Sequence, residues 1–222
     1  MESLVLPRRT AGRWLAGLRA FKKLIANPAD PVHGPIFQMC VEHSLLRKVT
    51  RSLGRHREGR RLLAERPRLD ARSISLAALA AHPPHSLAHA YAAYFDANGI
   101  TPFAAPELPV ETHQDYVATR LREAHDVFHV VTGYGTDELG ELELQWFNLG
   151  NIGWGPLPII MLIAFVVTGR ARKLGFRNVL GRVRAAYRRG RRSRRLASVY
   201  WEDYWHLPLG GVQALLCAPA ED

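Results

Sequence analysis

Residues 125–141 constrain the fold more than any other stretch of this 222-residue chain. His125 and His129 are four residues apart, so on an α-helix their side chains stack about 40° apart on one face. Gly133 follows as the natural left-handed residue after a last helical turn. A second helix would carry Glu141 one turn in, pointing back at the histidines. The sequence therefore predicts a helical hairpin that brings two imidazoles and one carboxylate together.

Both helices of this hairpin have N-terminal capping signals. Thr112 and Asp115 resemble a capping box, with aspartate in place of the usual glutamate. This box is expected to open one helix of some twenty residues that carries both histidines. Thr136 is the predicted N-cap of the second helix, where Asp137 and Glu138 would meet the positive end of the helix dipole.

Two interpretations of the histidine pair are open. In the first, both imidazoles are core or surface residues satisfied by ordinary hydrogen bonds. In the second, His125, Asp126, His129 and Glu141 bind one metal ion, since Asp126 shares an arc of roughly 100° with the histidines. Leaving buried polar groups unpaired costs about 1–3 kcal/mol each, and a metal would satisfy all four. Zinc, iron, manganese and cobalt all accept nitrogen and oxygen donors.

The motif His125-Asp126-x-x-His129, followed after eleven residues by Glu141, resembles the signature of the coenzyme Q (ubiquinone) biosynthesis protein 4 family. Supporting segments lie at residues 63–69, 86–91, 200–205 and 207–209, so the resemblance covers roughly residues 26–218. Two departures lie outside the motif. The run at residues 182–195 is unusually basic, and Pro83-Pro84-His85 replaces a looser turn.

The resemblance implies a place in ubiquinone biosynthesis. It implies metal-dependent oxidative decarboxylation of a polyprenylated hydroxybenzoate, with His125, Asp126, His129 and Glu141 as metal-binding and catalytic residues. Zinc is the metal that the resemblance favours, with iron, cobalt and manganese open, although zinc has no redox chemistry. A non-catalytic lipid-binding scaffold for the biosynthetic enzymes is one alternative. The other alternative is a metal-dependent phosphohydrolase, suggested by the adjacent His125-Asp126 pair. That class usually needs a further histidine, and His113 would lie roughly 18 Å from His125 along the helix.

The whole chain, residues 1–222, is expected to form a single compact all-α domain. No alternation of period two indicates a strand. Cys40 and Cys217 lack the spacing of a disulfide framework or thiolate metal site, which fits a reducing compartment. Residues 1–9 lack the apolar run of a secretory signal. Residues 10–26 form a candidate amphipathic interfacial helix, or else a surface helix packed on its own domain.

The formal charge of +10 is concentrated in one region. Residues 170–195 contain twelve basic side chains and no acidic one. Because few aromatic residues accompany them, an anionic membrane surface is a better partner than nucleic acid, with plain solvation as the alternative. A helix is expected at residues 178–188, with Gly190 breaking its continuation.

Residues 144–169 carry no formal charge. Their densest part, Leu157–Val167, is too short to span a bilayer and predicts a buried or interfacial helix. It is a candidate wall for an apolar groove that holds a polyprenyl tail, with Trp146, Phe147 and Trp154 at the entrance. Simple core packing is the alternative role.

The expected partners follow from the resemblance and the charge. They are a polyprenylated quinone precursor, an anionic membrane surface and other ubiquinone biosynthesis enzymes, with no nucleic acid and with a homodimer left open. The expected location is cytoplasmic and peripheral on the inner membrane. In a eukaryote it would be the matrix side of the mitochondrial inner membrane.

Overall fold

A computed structural model describes residues 43–102, 110–153 and 155–220, with isolated positions between 12 and 40. These residues form helices with no strand among them, which confirms the all-α prediction. Two 3₁₀ turns, Leu196–Ser198 and Trp201–Asp203, precede the last helix. The helices are α1 His43–Leu53, α2 Arg57–Glu65, α3 Leu76–Ala80, α4 Leu87–Asn98, α5 His113–Glu123, α6 His125–Thr132, α7 Glu138–Asn151, α8 Leu157–Val167, α9 Arg170–Leu174, α10 Phe176–Arg192 and α11 Leu209–Leu216. The predicted interfacial helix at residues 10–26 lies mostly outside the described residues.

The main core is built around α4, α5 and α6. Its largest fully buried side chains include Tyr91, Phe95, Tyr116, Phe128 and Trp201. The start of α4 is capped by Ser86, whose hydroxyl accepts from the His89 amide, and Gly99 closes it with a φ of 61°.

Helices α7 and α10 pack backbone to backbone through glycines. A Cβ on Gly190 would lie 2.1 Å from the carbonyl oxygen of Phe147, and one on Gly150 would lie 2.2 Å from that of Tyr187. The prediction that Gly190 breaks the basic helix is wrong, because α10 continues to Arg192. Gly190 is accommodated inside the helix since only a residue without a side chain permits this close contact.

Two distant segments brace α5, the helix that leads into the histidine pair. Arg120 donates to both carboxylate oxygens of Glu202 at 2.9 and 2.7 Å, and to the carbonyl of Pro67 at 3.3 Å. Glu123 accepts from the amide of Leu69 at 2.9 Å. Two of the segments that carried the family resemblance, residues 63–69 and 200–205, thus meet on α5.

The predicted continuous helix from Thr112 through the histidines is divided in two. The capping box of Thr112 and Asp115 is confirmed. However, α5 ends at Glu123, and Ala124, with φ −80° and ψ −2°, separates it from α6. The last turn of α5 is bound to the loop at residues 67–69, and these tertiary contacts are invisible to helix propensity.

Helix α8 lies outside the main core, against a second, smaller cluster. In that cluster Phe165 packs with Leu139 and Leu142 of α7 and with Val179 and Val183 of α10. Among the described residues, no helix has the length and hydropathy that crossing a membrane requires.

Candidate metal centre

The side chains of His125, His129 and Glu141 meet close to the turn that joins α6 and α7. His129 Nε2 lies 3.1 Å from His125 Nε2 and 3.1 Å from Glu141 Oε1. His125 Nε2 lies 3.4 Å from Glu141 Oε2. One ligand atom from each residue falls within 4.8 Å of the others, the arrangement of a group that can hold a metal ion.

The turn between the helices sets this convergence. Gly133 ends α6 with a φ of 78°, as predicted. The predicted N-cap is wrong by one residue, because Asp137 accepts from the amides of Leu139 and Gly140 at 2.9 and 3.1 Å. Thr136 instead donates its hydroxyl to Asn98 Oδ1 at 2.8 Å, so a tertiary contact takes it away from the helix end.

The orientation of His129 follows from its second ring nitrogen. His129 Nδ1 lies 3.0 Å from the carbonyl oxygen of Tyr134, which can only accept a hydrogen bond. Nδ1 must therefore donate, and in the neutral ring Nε2 keeps its lone pair toward His125 and Glu141. The side chain is only 1% exposed, while those of His125 and Glu141 are about one third exposed. One candidate ligand is thus buried in the protein, and the other two lie partly exposed at its surface.

The electrostatics favour an ionised carboxylate beside the imidazoles. Burial by itself raises the pKa of Glu141, but hydrogen bonds and charge from both histidines outweigh this and bring it to about 2. Burial lowers the pKa of His129, and the Glu141 carboxylate more than reverses this and leaves the pKa above its usual value. Glu141 is therefore an anionic donor at neutral pH.

The spacing of the three donors fits a single cation. Two donors that each lie about 2.1 Å from one ion are about 3.0–3.4 Å apart at coordination angles of roughly 90° to 109°. The observed separations of 3.1, 3.1 and 3.4 Å fall in this range. A carbonyl that fixes the tautomer of a ligating histidine is also a usual feature of metal sites, and Tyr134 supplies it.

Asp126, the fourth predicted ligand, is placed differently from the other three. It is not in the group whose ligand atoms converge. Its Oδ1 lies 3.4 Å from the hydroxyl of Tyr94, whose ring stacks on His129 at 5.9 Å between centroids. Burial raises the pKa of Asp126 despite the opposing charge of the two histidines. Its role as a ligand stays a prediction.

Two residues near the site were not predicted from the sequence. Tyr94 is one of them, and it contacts both His129 and Asp126. Asn148 lies seven residues beyond Glu141 on the same face of α7, about 10 Å further along. It is 1% exposed, and in the described part of the chain neither atom of its amide has a hydrogen-bond partner. The seven-residue spacing from Glu141, which puts both side chains on one face of a helix, is the sequence signal that could have identified Asn148.

The other sequence-predicted site features are only partly present. His113 is exposed on α5, a separate helix from His125, and it is not in the converging group. Phe147 is fully buried in the main core, so it does not line the entrance of a groove. Trp146 is half-buried and Trp154 lies outside the described residues. The apolar groove therefore stays a prediction.

Comparison with known proteins now decides the family. Residues 14–217 match the family model described as coenzyme Q (ubiquinone) biosynthesis protein Coq4. The chain belongs to this family. The resemblance drawn from the motif and its flanking segments is thereby confirmed.

The Coq4 relatives extend this match over much of the chain. The Culex quinquefasciatus protein named "Ubiquinone biosynthesis protein COQ4 homolog 1, mitochondrial" is 39% identical over 67% of this chain and 53% of its own length. The corresponding Schizosaccharomyces japonicus protein, also named mitochondrial, is 32% identical over 86% of this chain and 78% of its own length. Several relatives are longer, and the chain spans about half the length of the first of these two.

A solved structure supports the fold independently. The crystal structure of a Nostoc punctiforme protein named for ubiquinone biosynthesis superposes with a TM-score of 0.72. The match covers 90% of this chain and 96% of the other at 24% identity. At that identity the likeness concerns the fold.

Proposed function

We propose that this Coq4-family protein acts in ubiquinone biosynthesis by metal-dependent oxidative decarboxylation of a polyprenylated hydroxybenzoate. The observation that carries the proposal is the convergence of His125, His129 and Glu141 within 4.8 Å. Two imidazoles and one carboxylate are the donor set of non-haem iron oxygenases and also of catalytic zinc sites. The family supplies the pathway, and the donor set supplies a chemistry compatible with it.

The reaction replaces the carboxyl group of the ring by a hydroxyl group. The carbon–carbon bond to the carboxylate breaks with release of CO₂, and a carbon–oxygen bond forms to one atom of dioxygen. The other oxygen atom leaves as water, so the reaction needs two electrons and two protons from an external reductant. A redox-active metal would supply dioxygen chemistry as well as charge withdrawal from the carboxylate, whereas zinc would supply only the latter.

The residues of the chain hold the centre in a reactive arrangement. Tyr134 accepts from His129 Nδ1 and keeps Nε2 directed at the site. Glu141 contributes a negative charge that offsets part of the charge of a divalent ion. Tyr94 stacks on the ring of His129 and contacts Asp126, so protein side chains line the inner side of the centre. The partly exposed side of His125 and Glu141 is the approach for substrate.

A membrane surface is the proposed place of action. A polyprenylated substrate partitions into lipid, so an enzyme for it benefits from contact with a bilayer. The relatives named mitochondrial support a mitochondrial location if the source is eukaryotic. The matrix side of the inner membrane is the place that we propose there. Other enzymes of ubiquinone biosynthesis are the proposed protein partners, because the product of one step is the next enzyme's substrate.

Protein purified without oxygen tests the proposal directly. Its metals would be measured by elemental analysis, and release of labelled CO₂ from a carboxyl-labelled prenylated hydroxybenzoate would be followed with and without oxygen and reductant. Oxygen-dependent release, lost in His129→Ala and kept in His89→Ala, is the expected result. His89 is a matched control because it follows His85 by four residues, the same spacing as His125 and His129. Its Nδ1 lies 3.0 Å from the carbonyl oxygen of Ala80, outside the candidate centre.

The same experiment tests the lipid-binding scaffold. The exposed apolar side chains of α8 favour lipid contact whether or not chemistry occurs. Tight binding of the prenylated substrate with metal present but no CO₂ released under oxygen and reductant would support the scaffold and overturn the enzymatic proposal.

A further inference from the structure

The exposed apolar side chains of this protein are concentrated in one short region. Nine large hydrophobic residues are exposed in the described part of the chain, and six of them lie between residues 159 and 176. They are Ile159, Ile163, Val166, Val167, Leu174 and Phe176, with exposures from 42% to 79%. Scattered exposed hydrophobic residues are normal, but a contiguous group marks an interaction site.

The exposed residues of α8 form one stripe. Ile159, Ile163, Val166 and Val167 fall within an arc of roughly 100° around the helix. Phe165 lies about 160° from Ile163 and is buried against α7 and α10. Helix α8 is thus apolar on both sides, and only the inner side is covered by the described part of the protein. A helix that is hydrophobic all round requires a second apolar environment.

Basic side chains border the apolar stripe. Arg172, Lys173 and Arg177 are exposed directly after α8, among Leu174 and Phe176. Within the described residues no hydrogen bond or ion pair joins these three to another side chain. No acidic residue occurs between positions 144 and 195. The apolar stripe therefore has a positive border, whose three charges have no side-chain partner in the part of the chain that the structure describes.

The rest of the basic run is used differently. Arg182 pairs with Glu143 at 2.6 Å, and Arg194 pairs with Glu58 at 2.5 Å. Arg189 donates to the carbonyls of Thr132 and Ala218 at 2.7 and 2.8 Å. These three arginines of the run at residues 182–195 thus stabilise contacts within the protein. The basic side chains that lie next to the apolar stripe are those at residues 172–177.

We propose that Ile159, Ile163, Val166, Val167, Leu174 and Phe176, with Arg172, Lys173 and Arg177, form a docking surface that inserts into the interface of an anionic lipid bilayer. The apolar residues enter the acyl boundary, and the three basic residues contact anionic headgroups. Helix α8 lies in the plane of the membrane, since its length of about 16 Å is roughly half the hydrocarbon thickness.

Charge argues against a second copy of the chain as the occupant. A two-fold contact would place the same surface on both partners and bring like charges together. Opposed basic groups destabilise such an interface, whereas anionic lipid neutralises them. Membrane docking rests on the proposed function in one respect, because a prenylated substrate gives an enzyme a reason to bind lipid. Vesicle binding is measured without substrate, so a failure of either proposal is seen separately.

Co-sedimentation of the full-length protein with phosphatidylcholine vesicles containing about 30% phosphatidylserine tests the docking surface. The double variant Ile163→Ser/Val167→Ser should lower the partition coefficient about tenfold or more. The triple variant Arg172→Gln/Lys173→Gln/Arg177→Gln should do the same at low salt and less at high salt. Unchanged folding of each variant is checked by circular dichroism.

Two controls match these variants. Leu215→Ser removes an equally exposed apolar side chain on α11, far along the chain from α8. Arg188→Gln/Arg191→Gln/Arg192→Gln removes the same charge from the other end of α10. Both should bind vesicles as the unchanged protein does. Absence of vesicle binding by the unchanged protein, equal losses in the controls, or concentration-dependent dimers abolished by Ile163→Ser/Val167→Ser would overturn the proposal.

Discussion

The candidate metal centre and the docking surface differ in how far their side chains are buried and paired within the protein. At the metal centre, His129 is 1% exposed, and both of its ring nitrogens lie within 3.1 Å of a partner. At the docking surface, Val167 is 79% exposed, and the neighbouring Arg172 has no side-chain partner among the described residues. The hairpin supplies its own contacts, whereas the docking surface leaves them for another molecule to supply.

The two regions should therefore differ in which amino-acid substitutions they tolerate. A site whose geometry depends on buried hydrogen bonds loses function when one group is removed, because the neighbours are left unpaired. A surface whose groups contact solvent contributes little to folding, so substitutions there change binding and not stability. The expected effects below decrease in that order.

Removing the buried histidine should have the largest effect. His129→Ala deletes one of three donors. A third of the roughly 10–16 kcal/mol of a tight metal site corresponds to about 3–5 kcal/mol, or on the order of a 1,000-fold loss of affinity. Competition with a metal-sensitive dye measures it. His89→Ala should retain full affinity, and metal bound at normal stoichiometry by His129→Ala would refute the ligand assignment.

Removing the hydroxyl of Tyr94 should weaken the metal centre less. Tyr94→Phe keeps the ring that stacks on His129 and loses only the contact with Asp126, so metal affinity should fall about tenfold. Tyr91→Phe is the matched control on the same helix, because the Tyr91 hydroxyl is buried without a partner among the described residues. Equal metal affinity in both variants would show that Asp126 and Tyr94 do not support the centre.

Replacing Asn148 tests whether its buried amide binds substrate or stabilises the fold. Asn148→Leu removes a buried amide without a described partner, so the free energy of unfolding should stay constant or rise by up to about 1 kcal/mol. We expect this amide to bind substrate, so substrate affinity should fall. Asn151→Leu is the contrasting control, since Asn151 donates to Gly190 and Arg194 and accepts from Leu196. It should lose about 2–3 kcal/mol. Both quantities come from urea unfolding and a binding titration.

The smallest effect on stability is expected at the docking surface. Ile163→Ser should change the free energy of unfolding by less than about 0.5 kcal/mol, because the side chain is 58% exposed. Phe165→Ala, two residues away on the buried side of α8, should cost about 3–5 kcal/mol. Thermal denaturation of the two variants measures the difference. A large loss in Ile163→Ser would mean that part of the chain already covers the docking surface.

The hairpin was predictable because its signals are local. The spacing of His125 and His129 and the glycine at position 133 are properties of a few adjacent residues. Helix geometry converts them directly into positions in space. The break at Ala124 was not predictable, because the contacts that accompany it come from residues 67–69, more than fifty positions earlier. The capping role of Asp137 was missed for a similar reason, since Thr136 is engaged by Asn98.

The helical class, the family and three of the four residues expected at one site could be predicted from the sequence alone. Helix periodicity and motif spacing act over short distances, so they can be read without coordinates. The tertiary structure decided which buried groups lack partners and which arginines are occupied internally. It also decided that Gly190 lies within a helix instead of ending it. These outcomes depend on which helices pack together, and packing between residues tens of positions apart leaves no local pattern in the sequence.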